Sequence, residues 1–181
     1  METIARSGSL IRVVLTGSES TGKSVLAREL ADHYGAELAP EFVRDFALAL
    51  GRDIRVEDTD EIARGQIALE DEHARKAGRL LIQDTDLLST AVYSDHYFGH
   101  CVTWIKQAAR DRRPDLYLLL EIDVPWVRDD VRDRETRREE MQQLFRDAVF
   151  ASGAPYVVVT GLWGQRSELA RNAIDAVIAS R

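Results

Sequence analysis

Residues 11 to 24, Ile11-Arg-Val-Val-Leu-Thr-Gly-Ser-Glu-Ser-Thr-Gly-Lys-Ser24, constrain this chain more than any other stretch. The apolar run Val13-Val14-Leu15 reads as a buried strand. Gly17 to Ser24 then fits G-x-x-x-x-G-K-[ST] at every fixed position, and a helical pattern with Val25, Leu26, Ala27 and Leu30 as its apolar face follows at once. Strand, glycine loop and helix in that order are the context a phosphate-binding loop requires. The glycines let successive backbone N–H groups curl inward toward phosphate oxygens, and the helix starting at Lys23 adds its positive dipole end. In such a loop the lysine ammonium reaches the β- and γ-phosphates and the following hydroxyl ligates Mg²⁺. Gly17, Ser18, Glu19, Ser20, Thr21, Gly22, Lys23, Ser24 and Val25 are therefore the expected cradle for a triphosphate.

The 181 residues suffice for one domain with a real core. A net charge of -7 argues against a nucleic-acid-binding surface. Only Lys23, Lys76 and Lys106 are lysine, so a lysine inside the loop is less easily incidental. Cys101 is the single cysteine, which rules out an intrachain disulfide and a cysteine zinc site, and suits a reducing cytoplasm. No signal-like or membrane-length apolar run is visible, so the reading is a cytoplasmic protein without a membrane partner. Nothing in the sequence sets an oligomeric state.

The first helix is expected to run to Tyr34 and close on Gly35. Ala36 to Ala39 is a short strand before Pro40. Glu41 to Leu50 is a helix closed by Gly51, and a long helix capped by Asp58 or Thr59 runs to about Ala77. Strands are expected at Arg79–Asp84, Asp115–Glu121 and Tyr156–Val159, with helices at Leu87–Tyr97, Val102–Arg110, up to Ala151, and Arg166–Ala179. Strands alternate with helices and read as continuous apolar runs. The fold class is therefore α/β, a five-stranded parallel sheet with helices on both faces. Chemistry belongs at the carboxyl ends of such strands.

Asp84 ends an apolar strand, the placement of an acid that holds Mg²⁺ directly or through water. Asp86 has the better claim to cap the next helix, although both carboxylates could face the metal. Glu41 lies after the second strand, where an acid would accept the proton of an attacking hydroxyl. It would equally make an ion pair with Arg44 one turn along. Between Asp123 and Glu140, Arg128, Arg132, Arg134, Arg137 and Arg138 interleave with acids. That is either a solvated helix face or a lid whose arginines close over the transferring phosphate, and its place after the fourth strand favours the lid. Phe42, Tyr93, Tyr97, Phe98, Trp104 and Trp126 gather after the strands, and one or two of them could stack on a heterocycle. The His96–His100 stretch has the wrong spacing for a nucleotidyltransferase loop, and the guanine-reading N/T-K-x-D is absent.

Gly17–Ser24, Pro40-Glu-Phe-Val-Arg44, Gly65-Gln-Ile-Ala-Leu-Glu-Asp-Glu72, Asp84-Thr-Asp-Leu-Leu88, Tyr97-Phe-Gly99 and Leu118-Leu-Leu-Glu-Ile-Asp-Val-Pro-Trp126 together resemble, in this order, the ribosylnicotinamide kinase domain of the NadR proteins. The resemblance spans about residues 10 to 165. It implies a single, stand-alone P-loop domain over residues 1–181, nucleotide-kinase-like, with a lid at about 124–138. It implies ATP and Mg²⁺, and nicotinamide riboside phosphorylated to nicotinamide mononucleotide. The adenylyltransferase and DNA-binding parts of NadR have no counterpart here and are not carried over. On this reading Lys23 binds phosphates, Ser24 and Asp84 hold Mg²⁺, and Glu41 or Asp86 positions or deprotonates the hydroxyl. Arg128 and Arg132 neutralise transition-state charge. Trp126, Tyr93 or Tyr97, with Arg44 and the carboxylates nearby, would line the acceptor site. A kinase for another nucleoside or nucleotide, and a nucleotide-sensing module with a protein partner, are the rival readings.

Overall fold

The computed structural model describes residues 9–124 and 137–181. Its elements in chain order are β1 (Ile11–Thr16), α1 (Lys23–Tyr34), β2 (Glu37–Ala39), α2 (Phe42–Leu50), α3 (Thr59–Lys76), β3 (Leu80–Asp84), α4 (Leu87–Phe98), α5 (Thr103–Asp111), β4 (Leu116–Leu120), α6 (Arg138–Ser152), β5 (Tyr156–Val159) and α7 (Trp163–Ala179). The five strands pair in parallel in the order β2-β3-β1-β4-β5. The expected five-stranded α/β sheet is therefore present.

Strand alternation divides the core. Ile11, Val13 and Leu15 of β1, with Leu116, Leu118 and Leu120 of β4, pack against Leu26, Ala27 and Leu30 of α1 and Ala170 and Ile174 of α7. Val14, Tyr117 and Leu119 face the other way, against Leu88 and Val92 of α4 and Met141, Phe145 and Val149 of α6. A smaller cluster of Ala63, Leu87, Cys101 and Ile105 ties α3, α4 and α5 together. No helix among the described residues is long and apolar enough to cross a membrane.

Four local expectations are corrected. Val25 is not on the buried stripe of α1; it is exposed. The β5 edge is not covered on both faces, because Tyr156 and Val158 are exposed. Asp58 sits at the start of α3, but its carboxylate turns back to take a bidentate pair of bonds from Arg52 (2.7 and 2.9 Å) and the Arg55 N–H. That pairing, led by Arg52, holds Asp58 down at about 2. Finally, α7 starts three residues earlier than expected, because the Gln165 side chain takes the Leu162 N–H at 2.9 Å and closes the first turn.

Candidate active site

β1 lies between β3 and β4, with Leu15 opposite Asp84 and Thr16 opposite Leu119. The loop from Gly17 therefore leaves the sheet beside the end of β3. Gly17 has φ +127°, and a Cβ there would come within 2.6 Å of the Leu120 carbonyl oxygen. Gly22 has φ +85°, and a Cβ on it would meet the Trp163 ring at 2.9 Å. Glycine is required at both ends of the loop, by backbone conformation and by close approach. Lys23 opens α1, and its ammonium donates to the carbonyls of Gly17 (3.0 Å) and Ser18 (2.7 Å), curling over the loop. Thr21 Oγ1 donates to Ser18 O at 2.9 Å. The Ser18 amide is engaged by Gln142 Oε1 at 2.9 Å.

Three polar residues that resemble ordinary surface positions in sequence brace this loop from behind. Gln142 of α6 is fully buried and also donates to Leu120 O at 3.0 Å. Arg166 of α7, fully buried, donates to the carbonyls of Thr21 (3.0 Å), Glu121 (2.8 Å) and Gly161 (2.9 Å), and pairs with Asp123. Arg138, at the start of α6, donates to Ser20 O at 3.0 Å and Val124 O at 3.1 Å. It is thus an anchor between the loop and the end of the fourth strand's segment. Arg137 directly precedes α6, whereas the lid candidates Arg128, Arg132 and Arg134, and Trp126, lie outside the described residues, as does most of the 124–138 segment.

Asp84 is buried, and its Oδ1 has no hydrogen-bond partner among the described residues. A buried carboxylate oxygen in that condition is costly unless something positive meets it. Mg²⁺ fits: it takes one or two carboxylates and completes its shell with phosphate oxygens and water, so a single protein acid beside a phosphate loop is a sufficient donor set. Between Asp84 and Asp86, Thr85 has φ +74°, uncommon for a β-branched residue, and its N–H donates to Leu15 O at 3.0 Å. This sharp turn gives the neighbouring acids separate surroundings. Asp86 caps α4 through Leu88 N at 3.1 Å and takes a 2.6 Å bond from Tyr117 Oη. Burial raises its carboxyl to about 6, against the pull of Tyr117. With one oxygen on the helix and the other on Tyr117, Asp86 is a poor candidate for the proton acceptor.

After β2, which pairs with β3, Glu41 precedes α2 without capping it, and its carboxylate lies 3.5 Å from Arg44. The Phe42 N–H is taken instead by Gln66 of α3 at 3.0 Å. Gln66 donates onward to Glu70 at 3.1 Å, and Arg112 reaches Glu70 (3.1 Å) and Asp71 (2.6 Å). Burial, with the Asp86 charge adding to it, raises Glu70 to about 7. Burial and Asp86 push the Tyr117 phenol upward. Of the candidate aromatics, Tyr93 donates to Glu19 of the loop at 3.2 Å and stacks with Tyr97, ring centroids 6.1 Å apart. Phe42 packs on Gly65, and Trp104 donates to Asp60 at 2.8 Å with Arg64 over its ring.

The family model described as an AAA domain matches residues 12–166. The chain is 31% identical over 153 residues to the trifunctional NAD biosynthesis/regulator protein NadR of Escherichia coli K12, covering 81% of this chain and 37% of that protein. It is 33% identical over 124 residues to the protein of the same name from Salmonella typhimurium, covering 66% of this chain and 30% of that one. A crystal structure of NadR in complex with NAD and AMP-PNP superposes with a TM-score of 0.77 at 25% identity, covering 93% of this chain and 49% of that one. Thymidylate kinase from Ehrlichia chaffeensis shares the fold alone, with a TM-score of 0.61 at 16% identity over 94% of this chain and all of that one. The chain thus spans about a third of the curated relatives it matches. With the phosphate loop, the buried Asp84 beside it and the 2-3-1-4-5 sheet in place, it belongs to this AAA-domain family, as a NadR-like P-loop kinase domain.

Proposed function

We propose that this domain transfers the γ-phosphoryl group of ATP to the 5′-hydroxyl of nicotinamide riboside, giving nicotinamide mononucleotide and ADP. The observation that carries the phosphotransfer is the register of β1 on β3, which sets the buried Asp84, its Oδ1 without a hydrogen-bond partner among the described residues, beside the Gly17–Ser24 loop. The acceptor is supported by the relatives: one solved NadR structure is a complex with NR, with a TM-score of 0.70 at 24% identity.

Lys23 and the loop amides bind the β- and γ-phosphates and hold the leaving group in line. Ser24 and Asp84 would hold Mg²⁺, which neutralises phosphate charge when bound. Glu41 accepts the proton of the 5′-hydroxyl as its oxygen attacks phosphorus. The bond from phosphorus to the β–γ bridging oxygen breaks, and its electron pair leaves with ADP. Arg128 and Arg132 supply positive charge that stabilises the transferring group. Nicotinamide riboside is a permanent cation with a flat ring. Tyr93, Tyr97 or Trp126 offers it an aromatic face, and Glu41 with Asp84 lends the crevice negative potential. A neutral nucleoside gains nothing from that acidity.

The test is to incubate the protein with ATP, Mg²⁺ and a nucleoside panel, and to identify products by mass spectrometry. The expected outcome is nicotinamide mononucleotide with matching ADP. ADP without any phosphorylated nucleoside would favour a nucleotide-sensing hydrolase instead.

A further inference from the structure

Within the Gly65–Glu72 stretch of α3, Gly65 and Gln66 meet the start of α2. A Cβ on Gly65 would lie 2.1 Å from the Phe42 ring, so that ring can sit there only because residue 65 is glycine. One turn of α3 contains Gln66, 3% exposed, whose Oε1 accepts the Phe42 N–H at 3.0 Å. Its Nε2 donates to Glu70 Oε1 at 3.1 Å, which fixes which end of the amide faces Phe42. Glu70 is 2% exposed and is held in turn by Arg112. Phe42 is the first helical residue of α2, immediately after Glu41, and Glu41 makes no side-chain cap to its own helix. Gln66 thus satisfies the first of the four amides that the start of α2 leaves without an internal partner and ties the backbone next to Glu41 to α3, while the Glu41 side chain caps none of them.

We propose that Gln66, oriented by Glu70 and with Gly65 seating the Phe42 ring, is a positioning residue that sets the Glu41 carboxylate at the acceptor hydroxyl. The inference rests on the reading of Glu41 given above. Gln66 acts through Glu41 alone, so it governs the acceptor half of the reaction and leaves the nucleotide half untouched. Misplacing a reacting group by about 1 Å lowers rate on the order of a hundredfold, which sets the scale expected.

The test is a double-mutant cycle on the full chain, with ATP, Mg²⁺ and nicotinamide riboside. Gln66→Met should lower kcat about tenfold or more with the KM for ATP unchanged, and should have little further effect in a Glu41→Gln background. Gly65→Ala, which disturbs the Phe42 ring and removes no hydrogen bond, should show the same split and the same non-additivity; it carries the test if Gln66→Met does not fold. Equal losses of kcat in the wild-type and Glu41→Gln backgrounds, or a KM for ATP that rises as much as kcat falls, would overturn the positioning role while leaving the kinase intact. A wild type that phosphorylates no nucleoside overturns the function and the positioning role together.

Discussion

The two walls of the proposed site are made from different materials. The phosphate wall is a backbone device: Gly17 and Gly22 in glycine-favoured conformations, a helix N-terminus, and carbonyls gripped by Lys23. The proposed acceptor wall is a side-chain device, in which Glu41, Gln66, Glu70, Arg112, Asp86 and Tyr117 come from the residue before α2, α3, the end of α5, the start of α4, and β4. A backbone cradle needs its residues contiguous, so it is written in eight consecutive positions. A buried side-chain network needs only spatial convergence, so its members are scattered over the chain. The first wall suits any triphosphate, whereas the second is where selectivity for an acceptor can be built.

Even the backbone wall depends on distant side chains, and removing one should give the largest effect. Arg166→Met leaves three carbonyls and Asp123 without their buried donor, and should destabilise the fold by about 3–5 kcal/mol. Urea unfolding measures it; a loss below about 1 kcal/mol would mean the loop is self-supporting. Lys23→Ala comes next. The lysine donates to the Gly17 and Ser18 carbonyls and would meet the transferring phosphates, so turnover should fall on the order of a hundredfold or more. Near-normal turnover would remove the loop from the chemistry.

The neighbouring acids Asp84 and Asp86 set the two walls directly against each other. Asp84→Asn should lower turnover about tenfold or more and weaken its dependence on Mg²⁺. Asp86→Asn should lower turnover less than Asp84→Asn, because the amide oxygen can still cap α4, while the NH2 replacing the second carboxylate oxygen donates to Tyr117 Oη instead of accepting from it. Steady-state rates across a Mg²⁺ titration rank them, and a reversed order would move the metal-side role to Asp86.

The smallest effect expected is a pH signature of the acceptor wall. Glu70 rises from 4.5 to about 7 on folding, so the folded chain holds a proton there that the unfolded chain releases. The stabilisation it gives is complete below about pH 4.5 and is lost as pH rises to about 7, and Asp86 adds the same trend at lower pH. Unfolding free energy should therefore fall across that window by about 1–3 kcal/mol from Glu70, with Asp71, Arg112, Asp86 and Tyr117 facing it. Glu70→Gln should flatten the slope; an unchanged slope would show that Glu70 titrates as an exposed acid.

Legibility in the sequence follows the same division. Leu80-Leu81-Ile82 and Leu116–Leu120 are buried on both faces, so apolar runs marked them as inner strands. Tyr156-Val-Val-Val159 has the same composition but forms the edge, where two of its side chains meet solvent. Position in the sheet, which no local pattern encodes, decided that. The glycine loop and Asp84 were readable because each sits beside its strand. Gln66, Gln142 and Arg166 were not, because polar residues at helical spacing look like a solvated face until tertiary contacts bury them. Glu70 drew notice only inside a family-like stretch, and its burial beside Asp86 depends on α3 crossing near the end of β3.

The most direct test of the proposed specificity is a one-pot competition. Nicotinamide riboside and uridine, at equal concentration well below saturation, are offered to the wild-type chain with ATP and Mg²⁺, and the two phosphorylated products are counted from initial rates. Their ratio is the ratio of kcat/KM. An acidic, aromatic acceptor wall predicts nicotinamide mononucleotide in large excess, by tenfold or more for about 1.4 kcal/mol of cation recognition. Comparable amounts of the two products would contradict the acceptor assignment and leave only a P-loop kinase of broader taste.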